Sequence, residues 1–510
     1  MVYTVADILK RHHGGSVAEK PAVVDGQRRM TYAELLEQSL GYASLLQEAG
    51  LTRGDRVAIF LRRSVEAVIA LFATYFAGGV AVIVNEALRP RQVNYILEHS
   101  QASLLLTDSR QMLYVPDPAI DRARIICVDE TKALATVGSP PSTIGADLAL
   151  IIYTSGSTGL PKGVMVSHAN LVAGAQIVAD YLGLSERDVL ISLLPFSFDY
   201  GLNQLLGALL VGGTLVIQRS TFPPDVCNTL RREKVTGMAG VPTLWLQLTE
   251  DRSPFTRLAF PHLRYITNTG GRLPEPVVRR IRGTHPHVSV YLMYGLTEAF
   301  RSTYLPPDQV DGRPTSMGKA IPNVEILVVN DEGRLCGAGE TGELVHRGAT
   351  VAMGYWRDPE STAKAFRPHP LPAAGGGRVE TVVFSGDLVK RDAEGYLYFV
   401  GRRDQLIKAQ GFRVSPDEVE HWVFESDLVA NVVAFAVSVN EVEQDIVIAV
   451  APKDPATFSE ERLAEFCKRE MPQYLRPRDI WRLEAFPQTT SGKPDRVRIK
   501  RAYEEHHQRS

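Results

Sequence analysis

Short apolar runs alternate with amphipathic stretches through the first part of the chain, a pattern that predicts layered α/β structure. Thr31-Tyr32-Ala33-Glu34 has the spacing of a capping box: the threonine hydroxyl accepts from a backbone N–H and Glu34 reaches back. Leu35, Leu36, Ala43 and Leu46 then mark one helix face, Gly50 stands where that helix stops, and Val57–Leu61 reads as the next strand. Ala67 to Val84 runs 18 residues without a charge, the lower edge of a membrane span. Its Gly78-Gly79 pair divides it into a helix-like AVIALFATYFA and a β-branched VAVIV, which predicts a buried helix–strand unit instead.

The texture changes near residue 401. After the polar Gly401-Arg402-Arg403-Asp404, Val419, Trp422 and Val423 predict one helix, and Val429–Val439 and Ile446–Ala451 predict strands. Ser459 is placed to cap a further helix with Leu463, Phe466 and Cys467 on its face. Pro368 to Gly377 reads as a surface loop. The expected fold class is α/β: a large composite N-terminal domain of layered α/β subdomains over 1–402, and a small α+β C-terminal domain over 403–510.

Composition narrows the function. The 510 residues carry 56 Lys+Arg against 58 Asp+Glu, a net charge of −2. That balance, with 45% hydrophobic residues, excludes a disordered chain and argues against a nucleic-acid partner. Cys127, Cys227, Cys336 and Cys467 are far apart in sequence and form no CxxC or Cys/His cluster, so neither a zinc site nor a disulfide framework is indicated. A reducing compartment follows, and a cytoplasmic location is expected because the N-terminus has no signal-peptide pattern.

The densest chemical signal is Tyr153-Thr154-Ser155-Gly156-Ser157-Thr158-Gly159-Leu160-Pro161-Lys162-Gly163, directly behind the apolar run Leu148–Ile152. Small residues let backbone N–H groups approach an anion, while the hydroxyls and Lys162 add donors and charge, which makes a phosphate nest. Pro161 stands where GxxxxGK[ST] would need glycine, so this is not a P-loop. A plain flexible linker would not sit at this place with a Pro-Lys-Gly behind it.

YTSGSTGLPKGV resembles the phosphate-loop signature of the acyl-adenylate-forming superfamily, which includes acyl-CoA synthetases, adenylation domains of nonribosomal peptide synthesis and luciferases. Further matches follow in the family's order: YGLTE (294–298), SGDL (385–388), GRRDQLIKAQGFRVSP (401–416) and PQTTSGKPDR (487–496). PFSFDYGLNQL (195–205), MYGLTEAFRSTYLPP (293–307) and GKAIPN (318–323) are similar to the ligases associated with the exosortase A system.

The resemblance implies an ATP- and Mg2+-dependent enzyme that makes an acyl-adenylate and then passes the acyl group to a thiol, CoA or the phosphopantetheine of a carrier protein. It implies that Thr154, Ser155, Gly156, Ser157, Thr158 and Gly159 hold phosphates, that Glu298 binds magnesium and that Thr297 touches phosphate. Tyr294 would pack on adenine beside Gly271, and Asp387 and Arg402 would hold the ribose. Lys493 would contact the carboxylate and α-phosphate. The role of Lys162 stays open between phosphate contact and solvent. Asp404 matches the hinge about which a mobile C-terminal domain turns, and Lys408 and Gly411 would then line the thiol channel.

The acid pocket is expected at Asp199, Tyr200, Asn203, Thr243, Thr267, Thr269, Met293, Arg301 and Ser302, polar for a long-chain fatty acid. Phe198-Asp199 resembles amino-acid adenylation domains, where the aspartate binds an ammonium, whereas Tyr200-Gly201-Leu202 resembles CoA ligases. Asp199 and Arg301 either pair with each other or bind a substrate carrying an amino or second acidic group. Arg272, in Gly270-Gly271-Arg272, and Ala409-Gln410 depart from the family pattern. The competing functions are acyl-CoA synthesis, a stand-alone amino-acid-adenylating enzyme loading a carrier in trans, a luciferase-like oxidase, and an inactive sensor, against which the presence of Lys493 and Glu298 counts. No membrane span is expected, and oligomeric state is open.

Overall fold

β-branched and aliphatic runs of four to seven residues, such as Val80–Ile83 and Leu148–Thr154, are too short for helices and become strands buried on both faces. The computed structural model describes residues 1–115, 124–134, 141–154, 161–371, 380–403, 405, 407–409, 412–438, 444–471, 473–489 and 492–507.

Among these residues the N-terminal part contains sheets of nine, seven and five strands. The nine-stranded sheet has a parallel centre: Ser289–Tyr294, Tyr265–Asn268, Gly237–Gly240, Val189–Ser192, Thr214–Ile217 and Pro21–Asp25. The seven-stranded sheet also has a parallel centre, which includes Leu148–Thr154, Val80–Ile83 and Arg56–Phe60. The five-stranded sheet is antiparallel and pairs Thr381–Arg391 with Leu397–Arg402.

Local signals hold where they were strongest. Thr31 and Glu34 form the capping box of the helix Tyr32–Glu48. The uncharged stretch splits as expected into the helix Val65–Phe76, buried except at Glu66, and the strand Val80–Ile83. Gly78 turns the chain between them at φ +78, where a Cβ would lie 2.5 Å from Pro141. Among the described residues no helix is long and apolar enough to cross a membrane. The expected loop at 368–377 is corrected at its start, because Pro368 closes the strand Phe366–Pro368; positions 372–377 lie outside the described residues.

The C-terminal domain has its own core. Val429–Ser438 pairs antiparallel with Gln444–Pro452, which pairs parallel with Asp479–Arg482. The helices Pro416–Phe424 and Glu460–Glu470 cover one face through Val419, Val423, Leu463 and Cys467, and Arg496–His507 covers the other through Ile499 and Tyr503. The smaller domain meets the larger where Pro416–Phe424 rests on Leu397–Arg402 and where the turn at Gly492-Lys493 enters the mouth of the nine-stranded sheet.

Candidate active site

In open α/β sheets ligands bind beyond the carboxyl ends of the parallel strands, where successive loops diverge. Asn268 and Thr269, Val241 and Thr243, Tyr294, and the helix Asp199–Leu210 all stand at that edge of the nine-stranded sheet.

Thr154 and Lys162 face each other as cross-strand partners, because Leu148–Thr154 is followed by the antiparallel strand Lys162–Ser167. A P-loop would lead into a helix, so the topology agrees with its exclusion. Ser155, Gly156, Ser157, Thr158 and Gly159 lie outside the described residues. Lys162 does not point into solvent: its Nζ donates to Ser361 Oγ at 2.7 Å and lies 5.2 Å from the Tyr355 ring centroid.

Tyr355 also donates to Glu298 Oε1 at 2.7 Å. Burial raises its phenol pKa well above the ordinary value, and the Glu298 carboxylate beside it acts the same way. Glu298 sits in the short turn Thr297–Ala299, whose backbone is tied down by Ala352 N–H donating to Glu298 O at 2.9 Å. Among the described residues no group of three or more His, Cys, Asp or Glu side chains could hold a metal ion. A single oriented carboxylate suits a magnesium ion that takes its remaining ligands from phosphate and water.

Asp387 and Arg402 are opposite one another in the strand pair, with Arg402 Nη1 2.9 Å from Asp387 Oδ1. Tyr294 donates to the other Asp387 oxygen. Burial, then the Asp387 charge, holds the Tyr294 phenol well above its usual pKa. The Tyr294 ring stacks on His346, whose imidazole is wholly buried with neither nitrogen hydrogen-bonded and is pushed down to about 3 by that burial. The backbone oxygen of Gly271 accepts from Asn268 at 2.9 Å. Burial lowers the pKa of Arg272, and the charges of Asp417, Glu275 and Glu425 act against that lowering.

Lys493 enters from the small domain. Thr243 Oγ1 donates to Gly492 O at 2.8 Å, and Gly492 makes the turn at φ +80. The lysine stem passes Gly270, where a Cβ would lie 3.2 Å from Lys493 Cε and 3.5 Å from Phe198 Cζ. Its ammonium lies within the fields of both Asp199 and Asp387, which oppose the lowering of its pKa by burial.

Of the residues named for the acid pocket, Asp199, Arg301, Tyr200 and Thr267 form one connected group. Asp199 Oδ2 lies 2.7 Å from Arg301 Nη2 with both side chains buried, so the two pair in this state. The Arg301 guanidinium covers the Tyr200 ring at 4.5 Å, and the Tyr200 hydroxyl meets Thr267 Oγ1 at 2.5 Å. Phe300 adopts φ +35, a strained value for an aromatic residue, and turns Arg301 and Ser302 inward. Gly174 makes room for that ring, since a Cβ there would lie 2.5 Å from Phe300 Cδ1. Asn203 and Ser302 are buried with their side chains unpaired. Met293 Sδ accepts weakly from Tyr181 at 3.5 Å, and Thr269 N–H donates to Gly240 O at 3.2 Å.

Asp404 and Gly411 lie outside the described residues, and Lys408 is placed only as the partner of Arg413 in a two-stranded ribbon. Tyr355, Ser361 and His346 escaped the sequence reading. A signal existed for Ser361: Asp358-Pro359 is a helix-start pair, and Asp358 Oδ1 indeed accepts from Ser361 N–H at 2.9 Å. His346 is one of many core positions on a strand and carried none.

A family profile described as AMP-binding enzyme matches residues 10–356, and one described as AMP-binding enzyme C-terminal domain matches 418–493. The chain is 30% identical over 484 residues to gramicidin S synthase 2 of Brevibacillus brevis, covering 94% of this chain and 10% of that protein. It thus spans about a tenth of the length of such relatives. The fold superposes on the anthranilate CoA ligase AuaEII in complex with anthranoyl-AMP with TM-score 0.88, 25% identity and coverage of 98% and 97%. For O-succinylbenzoate coenzyme A synthetase from Bacillus subtilis, in complex with ATP and magnesium ion, the values are 0.85, 27%, 97% and 99%. These likenesses reach the family as a whole and do not single out the exosortase A-associated subgroup.

Proposed function

Because the chain belongs to the AMP-binding enzyme family, we propose that it joins a carboxylic acid to AMP and then delivers the acyl group to a thiol. A carboxylate oxygen attacks the α-phosphorus of ATP, the bond to pyrophosphate breaks, and an acyl-adenylate forms. A thiol sulfur then attacks the acyl carbon, loses its proton, and AMP departs.

The observation that carries this reading is the entry of the Lys493 turn at the strand ends, seated by Thr243 on Gly492 with its stem against Gly270, where the charges of Asp199 and Asp387 both act on its ammonium. A cation there offsets the repulsion between an incoming carboxylate and a phosphate, the main electrostatic obstacle to the first step. Asp387, held by Tyr294 and Arg402, is oriented to accept from ribose hydroxyls. Glu298, oriented by Tyr355, would hold magnesium, which when bound neutralises phosphate charge. Thr154 to Gly159 would cradle the phosphates, Thr297 and Lys162 would flank them, and Gly271 would border the adenine.

For the second step, the small domain, taken as 403–510, turns about Asp404. That motion withdraws Lys493 and brings the ribbon containing Lys408 and Gly411 to the site. The acceptor is CoA or a carrier-protein pantetheine supplied in trans. The buried Asp199, together with the likeness to gramicidin S synthase 2, supports the amino-acid-activating form of this reaction. The free cysteines are consistent with a cytoplasmic location.

The test is carboxylate-dependent pyrophosphate release across amino, dicarboxylic, aryl and fatty acids, followed by trapping with CoA or a holo carrier protein. Acid-dependent release and a trapped thioester are expected. ATP turnover that no acid stimulates would sink the reading.

A further inference from the structure

The acid side of the site contains three charged groups, Asp199, Arg301 and Lys493, and they do not finish one another. Asp199 and Arg301 are 4% and 2% exposed, sealed beside Tyr200 and Phe300. Nη2 of Arg301 lies 2.7 Å from Asp199 Oδ2, yet none of the three guanidinium nitrogens makes an aligned hydrogen bond. A guanidinium presents five N–H donors in a planar fork that a carboxylate can meet with two parallel bonds. Asp199 meets it by charge alone. Beside it the Asn203 amide and the Ser302 hydroxyl are also buried without partners. Buried polar groups are normally hydrogen-bonded, so such a cluster marks a surface completed by something polar.

Counting charge identifies what completes it. The carboxylate to be activated takes Lys493, whose stem packs at Gly270 as does the ring of Phe198, the neighbour of Asp199. Asp199 and Arg301 are then left as a pair of opposite sign. A neutral amino acid would claim Asp199 and leave Arg301 buried without a counter-charge. A plain dicarboxylic acid would claim Arg301 and strand Asp199. Either outcome breaks a buried pair by removing one partner, which is strongly unfavourable. An apolar acid would leave the pair intact but would bury the free valences of Arg301, Asn203 and Ser302 for good. A substrate bearing both an ammonium and a second carboxylate satisfies all three charges.

Building on the acid-activating reading above, we infer that the substrate is a short amino dicarboxylic acid. Its ammonium goes to Asp199, its second carboxylate to the fork of Arg301 with Asn203 and Ser302 alongside, and its reacting carboxylate to Lys493. The Asp199–Arg301 contact is the resting arrangement that this substrate splits.

The test is ATP–pyrophosphate exchange by the full chain with L-aspartate, L-glutamate, L-asparagine, L-glutamine, L-alanine, succinate, glutarate and octanoate. One of the acidic amino acids is expected to exceed both its amide and its deaminated analogue by at least about 10²-fold in kcat/KM, since a site built to pair a group rejects the analogue lacking it. Arg301→Leu should remove most of the preference over the amide, and Asp199→Asn most of the preference over the deaminated acid. Arg301→Lys, which keeps the charge and loses the fork, should fall between wild type and Arg301→Leu. Equal or better exchange with alanine, a plain dicarboxylate or octanoate overturns this inference and leaves acid activation standing. Exchange with none of a broad set of acids overturns both. The wild-type comparison decides the matter even if a variant fails to fold.

Discussion

The two halves of the site are built differently. On the nucleotide side the charged groups expected to meet ATP and magnesium find partners within the chain: Tyr294 and Arg402 on Asp387, Tyr355 on Glu298, Ser361 on Lys162. On the acid side, Arg301, Asn203 and Ser302 have buried polar atoms with no hydrogen bond. Donors and acceptors fixed in advance suit a co-substrate that is the same in every turnover, because little reorganisation is left to the reaction. Groups left unsatisfied make the protein depend on one particular acid to complete them, which is how discrimination arises. Substitutions on the nucleotide side should therefore impair every acid alike, and substitutions on the acid side should change which acid is used.

The largest expected effect is at the junction of the halves. Lys493→Ala should lower carboxylate-dependent pyrophosphate exchange by about 10²–10³ for all acids, as loss of one transition-state donor does. Thioester formation from preformed acyl-adenylate should persist. Unaltered exchange would remove Lys493 from the first step. Next comes Tyr355→Phe, which deletes only the hydroxyl on Glu298 and keeps the ring beneath Lys162. The magnesium concentration for half-maximal activity should rise about 10-fold, within the range for losing a group that orients a metal ligand. A change confined to one acid would contradict the division drawn above.

A third effect is on stability. His346 is held neutral in the fold, with its pKa lowered to about 3 from an unfolded value near 6.5. Its contribution is fully present above pH 6.5 and is lost as pH falls toward 3, because the unfolded chain then binds the extra proton. Between pH 7.5 and 5 this amounts to about 2 kcal/mol, so urea unfolding at those two pH values should show a loss that His346→Phe reduces by that amount. An identical loss in the variant would assign the acid sensitivity elsewhere. The smallest effect is Thr243→Val, which removes the bond to Gly492 that seats the Lys493 turn. One such hydrogen bond is worth about 1 kcal/mol, so exchange should fall about 5-fold and thioester transfer should not.

The elements that were legible in advance are those whose signals are local. The Thr31 capping box, the Gly78-Gly79 break and the Ser459 cap depend on residues within one turn of each other, and each holds. The order of the glycine-rich loop, YGLTE, SGDL and SGK also named most of the candidate site residues. What those motifs did not carry is how the residues meet. Tyr294 and Asp387 are 93 positions apart, and Glu298 and Tyr355 are 57 apart. Their contacts follow from which strands end side by side. Pro368 was misjudged for the same reason, since only pairing with Thr381 makes it part of a strand.

The sequence by itself thus determined the layered α/β class, the separate C-terminal unit and the adenylate-forming family, because periodicity, caps and short motifs are written in neighbouring residues. Only the tertiary structure decided that Lys162 is engaged by Ser361 and Tyr355, and that Asp199 rests against Arg301 without satisfying it. Those outcomes depend on burial and on the aim of side chains from distant strands, and neither is encoded in spacing along the chain.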